Sequence, residues 1–351
     1  EFFPKGIALN NLKLRASWGR LGNENALGYY DFLALISTYN TKYQGYVKGN
    51  GDNAWAGSIA RGLENRSLKW ETTDTKNIGL DFGFFNNKLT GAMNYYYNQT
   101  EELLITKALP PSAGLNNPIL NVGKIRNSGV EVEINWADSK GGFDYNIGMN
   151  FSTTKNKVVE LADKGQVLYG EGLKYGTEHF PTQTRVGKPI GAFYLYKTNG
   201  LFQSNEEARQ YVNADGDEYQ PFADAGDIRY VDVNGDGYID DDDKVYCGSG
   251  IPTLEVNLNF SAGYKGFDLS VVLGSAWGHK IYNGNKYFYE GMNSGSNFLT
   301  SSLNAWTPQN TNTNIPRAIF NDPNGNLKES DRFIEKGDFV RLRQLQLGYT
   351  L

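Results

Sequence analysis

Apolar and polar side chains alternate with a period of two in eight segments of this chain. Between Val130 and Trp136, for example, the apolar residues are separated by Glu131, Glu133 and Asn135. Successive residues of a β-strand point to opposite faces of a sheet, so this pattern predicts strands with one apolar and one polar face. We expect an all-β protein whose strands lie near 12–18, 77–84, 89–97, 130–136, 144–151, 254–260, 267–273 and 338–351.

The connections between the predicted strands are short and long in strict alternation. Three tight turns lie near residues 86, 140 and 265. In an up-and-down antiparallel sheet, this alternation places every long loop at one end, as in outer-membrane β-barrels with short periplasmic turns and long extracellular loops. The four long loops span about 19–70, 98–127, 155–252 and 278–337.

Aromatic residues gather at both ends of the predicted strands. Two such belts, a strand length apart, are typical of the girdles in which aromatic rings sit between hydrocarbon and water. The belt toward the long loops contains Tyr95, Tyr96, Tyr97, Phe151 and Trp277. The belt toward the tight turns contains Phe84, Phe85, Trp136, Phe143, Tyr145, Tyr264 and Phe267.

The polar face of the strands carries acidic and amide side chains that would line a water-filled lumen. A soluble β-sandwich whose polar face meets bulk water explains the alternation equally well, but it explains the aromatic belts and the loop alternation poorly. The transmembrane barrel is therefore the preferred interpretation. The candidate lumen-lining residues are Asp81, Asn94, Glu131, Glu133, Asn135, Asp144, Asn146, Asn150, Glu255, Asn257 and Asn259.

The composition narrows the function classes. With 34 basic and 39 acidic residues the net charge is −5, and no basic patch suggests nucleic-acid binding. One cysteine and two distant histidines leave no disulfide and no zinc motif. Glu131 and Glu133 would face the same side of one strand. A glycosidase needs one carboxylate on each side of the scissile bond, so these two residues do not suit a catalytic pair. We therefore expect no enzyme.

The last predicted strand contains an irregularity. Arg341 and Arg343 share the parity of the apolar residues Leu345 and Leu347. A β-bulge would shift the register between the two pairs. Alternatively, the arginines lie beyond the hydrocarbon and meet anionic lipid headgroups. The bulge is the preferred explanation.

The segment 232–243 matches the calcium loop of an EF-hand. A glycine, Gly237, stands where such a loop turns sharply, and Tyr238 would offer its backbone carbonyl. The last ligand position is an Asp, which reaches one methylene less far than the usual Glu. We expect a structural Ca²⁺ inside the 155–252 extracellular loop; the alternative is a solvated turn without metal. The expected side-chain ligands are Asp232, Asn234, Asp236, Asp240 and Asp243.

A further signal comes from several segments taken in order. They are 127–133, 186–193, 200–207, 226–237, 333–343 and 347–349. Together they resemble the C-terminal barrel portion of SusC/RagA-type TonB-dependent outer-membrane transporters, and the resemblance covers nearly the whole chain.

This resemblance implies a barrel of about 22 strands, of which this chain would supply about eight, without the plug domain and the final strands. It also implies import of a bulky nutrient such as an oligosaccharide or a peptide. Partners implied by the resemblance are a SusD-like surface lipoprotein, the TonB complex and outer-membrane lipid. The chain starts at Glu1 and stops at Leu351 within a patterned segment, so we expect part of a longer protein in the Gram-negative outer membrane.

Two further interpretations remain open from sequence. The first is a secreted, calcium-stabilised all-β carbohydrate-binding or adhesin module, in which the apolar strand faces would pack against a second sheet. The second is a self-closed eight-stranded barrel, which requires the first and last strands to pair; we expect an open curved sheet instead.

Aromatic residues in the long loops are candidate sugar platforms, although packing within the loops is the simpler role for each of them. They are Tyr29, Tyr30, Tyr39, Tyr43, Tyr46, Trp55, Tyr282, Tyr287, Tyr289 and Trp306.

Overall fold

A nine-stranded antiparallel sheet forms the body of the protein. The structure, a computed structural model, describes residues 8–24, 27–34, 36–38, 58–60, 62–107, 111–170, 173–175 and 177–351. Eight strands follow one another across the sheet in chain order, as the alternation predicted. They are β1 (Leu9–Asn23), β2 (Glu71–Phe84), β3 (Leu89–Thr106), β4 (Ile119–Lys140), β5 (Phe143–Thr153), β6 (Leu254–Tyr264), β7 (Phe267–Trp277) and β8 (Phe339–Tyr349).

The sheet is open, with β1 and β8 as its two edges. Within the described residues β1 pairs with β2 and β8 pairs with β7, so the expected open sheet is confirmed and the self-closed eight-stranded barrel is wrong. The ninth strand, Lys155–Glu160, continues β5 after Thr154 and pairs with the first half of β4.

Three tight turns join the strands at one end of the sheet. Gly141 and Gly142 both have positive φ angles of 62° and 81°, and Lys265 and Gly266 have 46° and 85°. Positive φ at both central residues matches the right-handed twist of a two-residue hairpin. These turns therefore hold β4 against β5 and β6 against β7 in fixed register.

The long loops begin later than the sequence indicated. A loop at 98–127 was expected, but β3 runs to Thr106 and β4 starts at Ile119. Five consecutive polar residues, 98–102, end the alternation in β3. A bulge at Glu102, which has a φ of 57°, then shifts the register between Thr100 and Leu103, and the hydrogen-bonded ladder continues beyond it.

One face of the sheet is apolar and uncovered. Leu14 is 74% exposed, Ile78 59% and Leu347 73%. A sandwich would bury these side chains against a second sheet. The largest fully buried side chains lie instead in the connections, among them Tyr230, Phe202, Phe333 and Leu195. This distribution contradicts the secreted β-sandwich module.

Aromatic rings meet across neighbouring strands at the tight-turn end. The ring centroids of Phe143 and Tyr264 lie 6.2 Å apart, and those of Phe267 and Tyr349 lie 4.5 Å apart. At the other end, Tyr96 departs from the expected belt. It lies opposite Gly129 on the polar face, and its hydroxyl donates to the carbonyl of Thr153 at 3.0 Å.

Two of the long connections, 161–253 and 278–338, pack together and are called the loop unit below. Tyr196 donates its backbone N–H to the carbonyl of Glu329 at 3.0 Å. Its ring joins Ile228, Tyr230 and Trp306 in a buried apolar cluster. The loop unit therefore has a hydrophobic core of its own, drawn from both connections.

The loop unit is built from short elements. Its helices are Asn205–Arg209, capped by the Ser204 side chain, and Asn285–Tyr289. Its 3₁₀ turns are Asp241–Asp243, Thr300–Asn304 and Asp331–Phe333. Its strands are Leu168–Tyr169, Leu173–Tyr175, Thr177–His179, Thr182–Thr184, Ala192–Leu195, Thr198–Leu201, Ile228–Tyr230, Val245–Gly248, Lys280–Tyr282 and Ile334–Lys336.

The other connections hold a hairpin of Ile36–Thr38 with Ser58–Ala60 and a 3₁₀ turn at Pro111–Ala113. In the described part of the chain, no helix has the length and apolar character needed to cross a membrane.

Buried charges hold the two connections together. Asp227 is fully buried and accepts two hydrogen bonds from the Arg317 guanidinium, at 2.9 and 2.8 Å. Asn326 donates to the same carboxylate at 2.9 Å. A second buried pair joins Lys244 Nζ to Glu329 Oε1 at 2.6 Å. Burial lowers the pKa of Lys244, but hydrogen bonds to Asp241 and Glu329 outweigh it, and the net shift is upward.

We predict that Arg317→Leu loosens the loop unit. The change leaves the Asp227 carboxylate buried without its cation, which costs about 3–5 kcal/mol. Native-state hydrogen exchange of the Ile228 amide, which donates to Asn326, measures the free energy of opening. The control is Arg209→Leu, because Arg209 pairs with Asp224 in the same unit but is 44% exposed; its cost is about 0–1 kcal/mol. Equal effects of the two substitutions would contradict the prediction.

Candidate functional site

The eleven predicted lumen-lining side chains lie on a single face of the sheet. Directly opposed residues of neighbouring strands share a face. Glu133 lies opposite Asn150, and Asn150 lies opposite Asn257. Asn94 lies opposite Glu131. The register thus gathers carboxylates and amides into rows that cross the central strands.

Cations stand at both edges of this polar face. On β1, Arg15 Nη2 lies 2.6 Å from an Asp81 oxygen and donates to Asn94 Oδ1 at 2.9 Å. On β8, the register slips between Gln344 and Leu342, so that Val272 faces Gln344 and Gly274 faces Arg341. The expected bulge is therefore confirmed.

The bulge turns both β8 arginines toward the polar face. The Arg343 guanidinium lies over Gly274, in the space that a Cβ at this position would occupy. The alternative that placed these arginines against lipid headgroups is therefore wrong. The polar face now presents acids and amides in its centre and arginines at each edge, and this arrangement can hydrogen-bond a polar solute.

The calcium-type loop lies within the loop unit, where its own side chains hold its backbone. Asp232 accepts from the amides of Gly235 and Gly237 at 2.6 and 2.9 Å. Asn234 accepts from the amide of Asp236, and Asp236 accepts from that of Tyr238. Each of these side chains retains acceptor capacity that a hard cation could use.

Asp243, at the last position of the loop, has a structural role of its own. It is fully buried, and its two oxygens accept from the amides of Val233 at 2.7 Å, Asn234 at 3.3 Å and Asp240 at 2.9 Å. Asp240 accepts from the Asp242 amide and begins the short 3₁₀ turn. Asp243 thus closes the loop through backbone hydrogen bonds.

Hydrogen bonds within the loop favour the ionised form of one carboxylate, that of Asp232. Partial burial raises the pKa of Asp232, but hydrogen bonds from the amides of Gly237 and Gly235 and from the Tyr219 hydroxyl outweigh it, and the pKa is lowered overall. Within the described ranges, no three His, Cys, Asp or Glu side chains are grouped closely enough to hold a metal ion by themselves. A cation here would also need Asn234 and the Tyr238 carbonyl, both oxygen donors of the kind that Ca²⁺ binds.

The loop aromatics divide into packed and exposed residues. Trp306 is buried in the core of the loop unit, and Tyr282 packs between Phe193 and Phe333. Tyr29 and Tyr289 are exposed and free to meet a solute. Exposed Tyr30 and part-buried Tyr287 lie in the same connections. Tyr39, Tyr43, Tyr46 and Trp55 lie outside the described residues.

The sequence interpretation missed the buried ion pairs of the loop unit. Asp227 belongs to the segment 226–237, which the sequence marked only by its resemblance to the transporter family and by the expected calcium ligands. Its partner Arg317 lies 90 residues away, and no short spacing links the two. One feature of the sequence could have indicated a buried acid here. Asp227 stands between Gly226 and the apolar Ile228, in a connection of a length that usually has structure of its own.

Comparisons with known proteins agree with this architecture. The family described as TonB dependent receptor-like, beta-barrel matches residues 1–274. TonB-dependent receptor P3 of Formosa agariphila is 30% identical over all of this chain and 33% of its own length. TonB-dependent receptor SusC of Bacteroides thetaiotaomicron is 27% identical, again over all of this chain and 33% of its own length.

The fold is also found in solved structures. The RagAB peptide transporter matches 99% of this chain and 35% of its own, with a TM-score of 0.73 and 22% identity. The 'open-open' state of the RagAB peptide importer gives a TM-score of 0.75. The chain spans about a third of the length of the curated relatives it matches. Its open sheet, exposed apolar face and family match agree: the chain belongs to the TonB-dependent receptor-like β-barrel family of the outer membrane.

Proposed function

We propose that the protein carrying this chain imports a bulky nutrient, an oligosaccharide or a peptide, across the outer membrane with energy from the TonB complex. One observation carries the proposal: the sheet has an exposed apolar face and, opposite it, a face of acids, amides and arginines. In a closed barrel the first face meets lipid and the second lines an aqueous passage. No chemistry beyond binding is required of these residues.

The loop unit supports a shared binding site above the passage. Its two connections form one packed body, held by buried ion pairs, over the ends of β5 to β8. A SusD-like surface lipoprotein is the proposed partner of this body, since SusC and the RagAB peptide transporter are among the similar proteins. The exposed Tyr29 and Tyr289 are proposed contacts for the solute or for the lipoprotein.

Uptake tests the lumen directly. Asn150→Trp adds a bulky ring to the polar face, so uptake of a labelled substrate is expected to fall severalfold. Met149→Trp is the matched control: it adds the same ring one residue away, on the apolar face, where aromatic rings meet lipid. Equal uptake by the two variants, at equal amounts in the membrane, would contradict the assignment of the faces.

Growth tests the transported class. A strain lacking the protein is expected to lose growth on one group of oligosaccharides or peptides while still growing on the corresponding sugars or amino acids. Loss of TonB should produce the same defect. Unchanged growth on every oligosaccharide and peptide supplied would rule out nutrient import as the function.

We also propose that Asp232, Asn234, Asp236 and Asp240, with the Tyr238 carbonyl, bind a structural Ca²⁺, while Asp243 closes the loop from behind. The loop lies outside the cell, where calcium modules work with dissociation constants of about 10⁻⁴–10⁻³ M. The ion would neutralise a run of acids and stiffen one side of the loop unit.

Calorimetric titration of the purified protein with Ca²⁺ measures this site. We expect binding in the stated range, and its loss in Asp236→Ala, because Asp236 is exposed and holds only local contacts. Asp215→Ala is the control, an exposed acid in a neighbouring turn. Absence of any calcium-dependent heat at millimolar Ca²⁺ would exclude the ion.

A further inference from the structure

The apolar face of the sheet gives way to charged residues toward the long loops. Cross-strand register defines three successive rows on this face. The first row is Ile78, Tyr95 and Val130; the second is Lys76, Tyr97, Ser128 and Lys155; the third is Asp74, Gln99, Arg126 and Lys157. The first row is apolar and aromatic, the second combines one tyrosine with two lysines, and the third is polar and charged. This gradient marks the second and third rows as the level of the outer-leaflet headgroups.

Most cations at this level already have partners. Arg20 contacts Asp74 at 2.6 Å, and Lys124 contacts Glu101 at 3.1 Å. The Arg126 guanidinium lies 5.0 Å from the centre of the Tyr97 ring. Lys155 and Lys157 differ from these residues. Both are exposed, and in the part of the chain that the structure describes neither has a carboxylate within ion-pair distance or an aromatic ring beneath its ammonium group.

A cavity with a volume of about 750 Å³ lies beside these two lysines. It forms where the sheet divides, because the strand Lys155–Glu160 stays with β4 while β6 pairs with β5 only as far as Thr153. A third lysine, Lys280, reaches the cavity from the loop unit. Its described lining contains these three lysines and no carboxylate, in a chain whose net charge is −5.

The remaining lining suits an amphiphilic anion. Hydroxyl groups of Ser128 and Ser249 can donate hydrogen bonds to phosphate oxygens, while Tyr95 and Ile251 offer apolar surface. Lysine ammonium groups bind phosphate as point charges. Three of them around one space repel one another unless an anion lies between them.

We propose that this cavity binds the phosphate group of an outer-leaflet lipid. The lipid headgroup would sit between Lys155, Lys157 and Lys280, and its acyl chains would run down the apolar face past Tyr95. The lipid would also fill the division in the sheet and tie the loop unit to the barrel wall.

Binding of diphosphoryl lipid A to the purified full-length protein in detergent micelles, measured by native mass spectrometry, tests the proposal. We expect the triple variant K155Q/K157Q/K280Q to bind on the order of 100-fold more weakly, at about fivefold per lysine. The conservative variant K155R/K157R/K280R should retain binding. The control K265Q removes an exposed lysine at the tight-turn end and should leave binding unchanged.

A second measurement needs no variant. Lipid A stripped of its phosphates should bind the wild-type protein as weakly as the intact lipid binds the triple glutamine variant. Equal binding of the two lipids, or equal binding by wild-type and triple-variant protein, would overturn the proposal. Competition by inorganic phosphate at the same concentration as the lipid would also overturn it, because the ligand would then be soluble phosphate.

Discussion

The architecture of the sheet follows from one constraint, a defined antiparallel register between neighbouring strands. Hydrocarbon offers no hydrogen bonds, so every backbone group at that depth must be paired with a neighbouring strand. The register also decides which side chains meet lipid, since a slip of one residue would exchange the faces. Tight turns with positive φ at 141–142 and 265–266 fix it at one end of the sheet. The one slip within β8 falls where two arginines would otherwise face outward.

The long loops obey a different constraint, because they stand in water and can bury a core of their own. Among the described residues no second layer covers the apolar face of the sheet, and the largest fully buried side chains lie in the loop unit. Charges such as Asp227 and Lys244 are buried there with partners from the other connection. Such pairs specify one arrangement, since a charge left alone is costly. A solute at the mouth of the barrel would therefore meet a body of fixed shape.

The sheet could be predicted from sequence because the alternation of apolar and polar side chains is a local pattern, visible within each strand. Eight strands, three turns and the face of every predicted polar residue followed from it. The bounds of β3 and β4 were wrong because the polar run 98–102 and the bulge at Glu102 interrupt the period of two while strand pairing goes on. The bulge in β8 was predicted from two arginines of the wrong parity. The face toward which the bulge turns these arginines could not be predicted, because it depends on the register of β8 with β7.

The loop unit could not be predicted in the same way. Its ion pairs join residues that are far apart in sequence, such as Lys244 and Glu329, and no periodicity links them. The calcium-type motif was visible because its proposed ligands lie within twelve residues. Sequence did not show that Asp243 holds three backbone amides. Nor did it show that Lys155 and Lys157 lie on the apolar face of the sheet, because the register of their short strand with β4 decides this.

Adjacent residues of one strand meet lipid and water in turn. Labelling of single cysteines by a water-soluble maleimide in intact outer membranes, with Cys247 replaced by Ser, measures this alternation. Leu258 and Asn259 are neighbours on β6 with opposite faces. We expect Asn259→Cys to be labelled and Leu258→Cys to be protected until detergent is added. Equal labelling of both in intact membranes would contradict it.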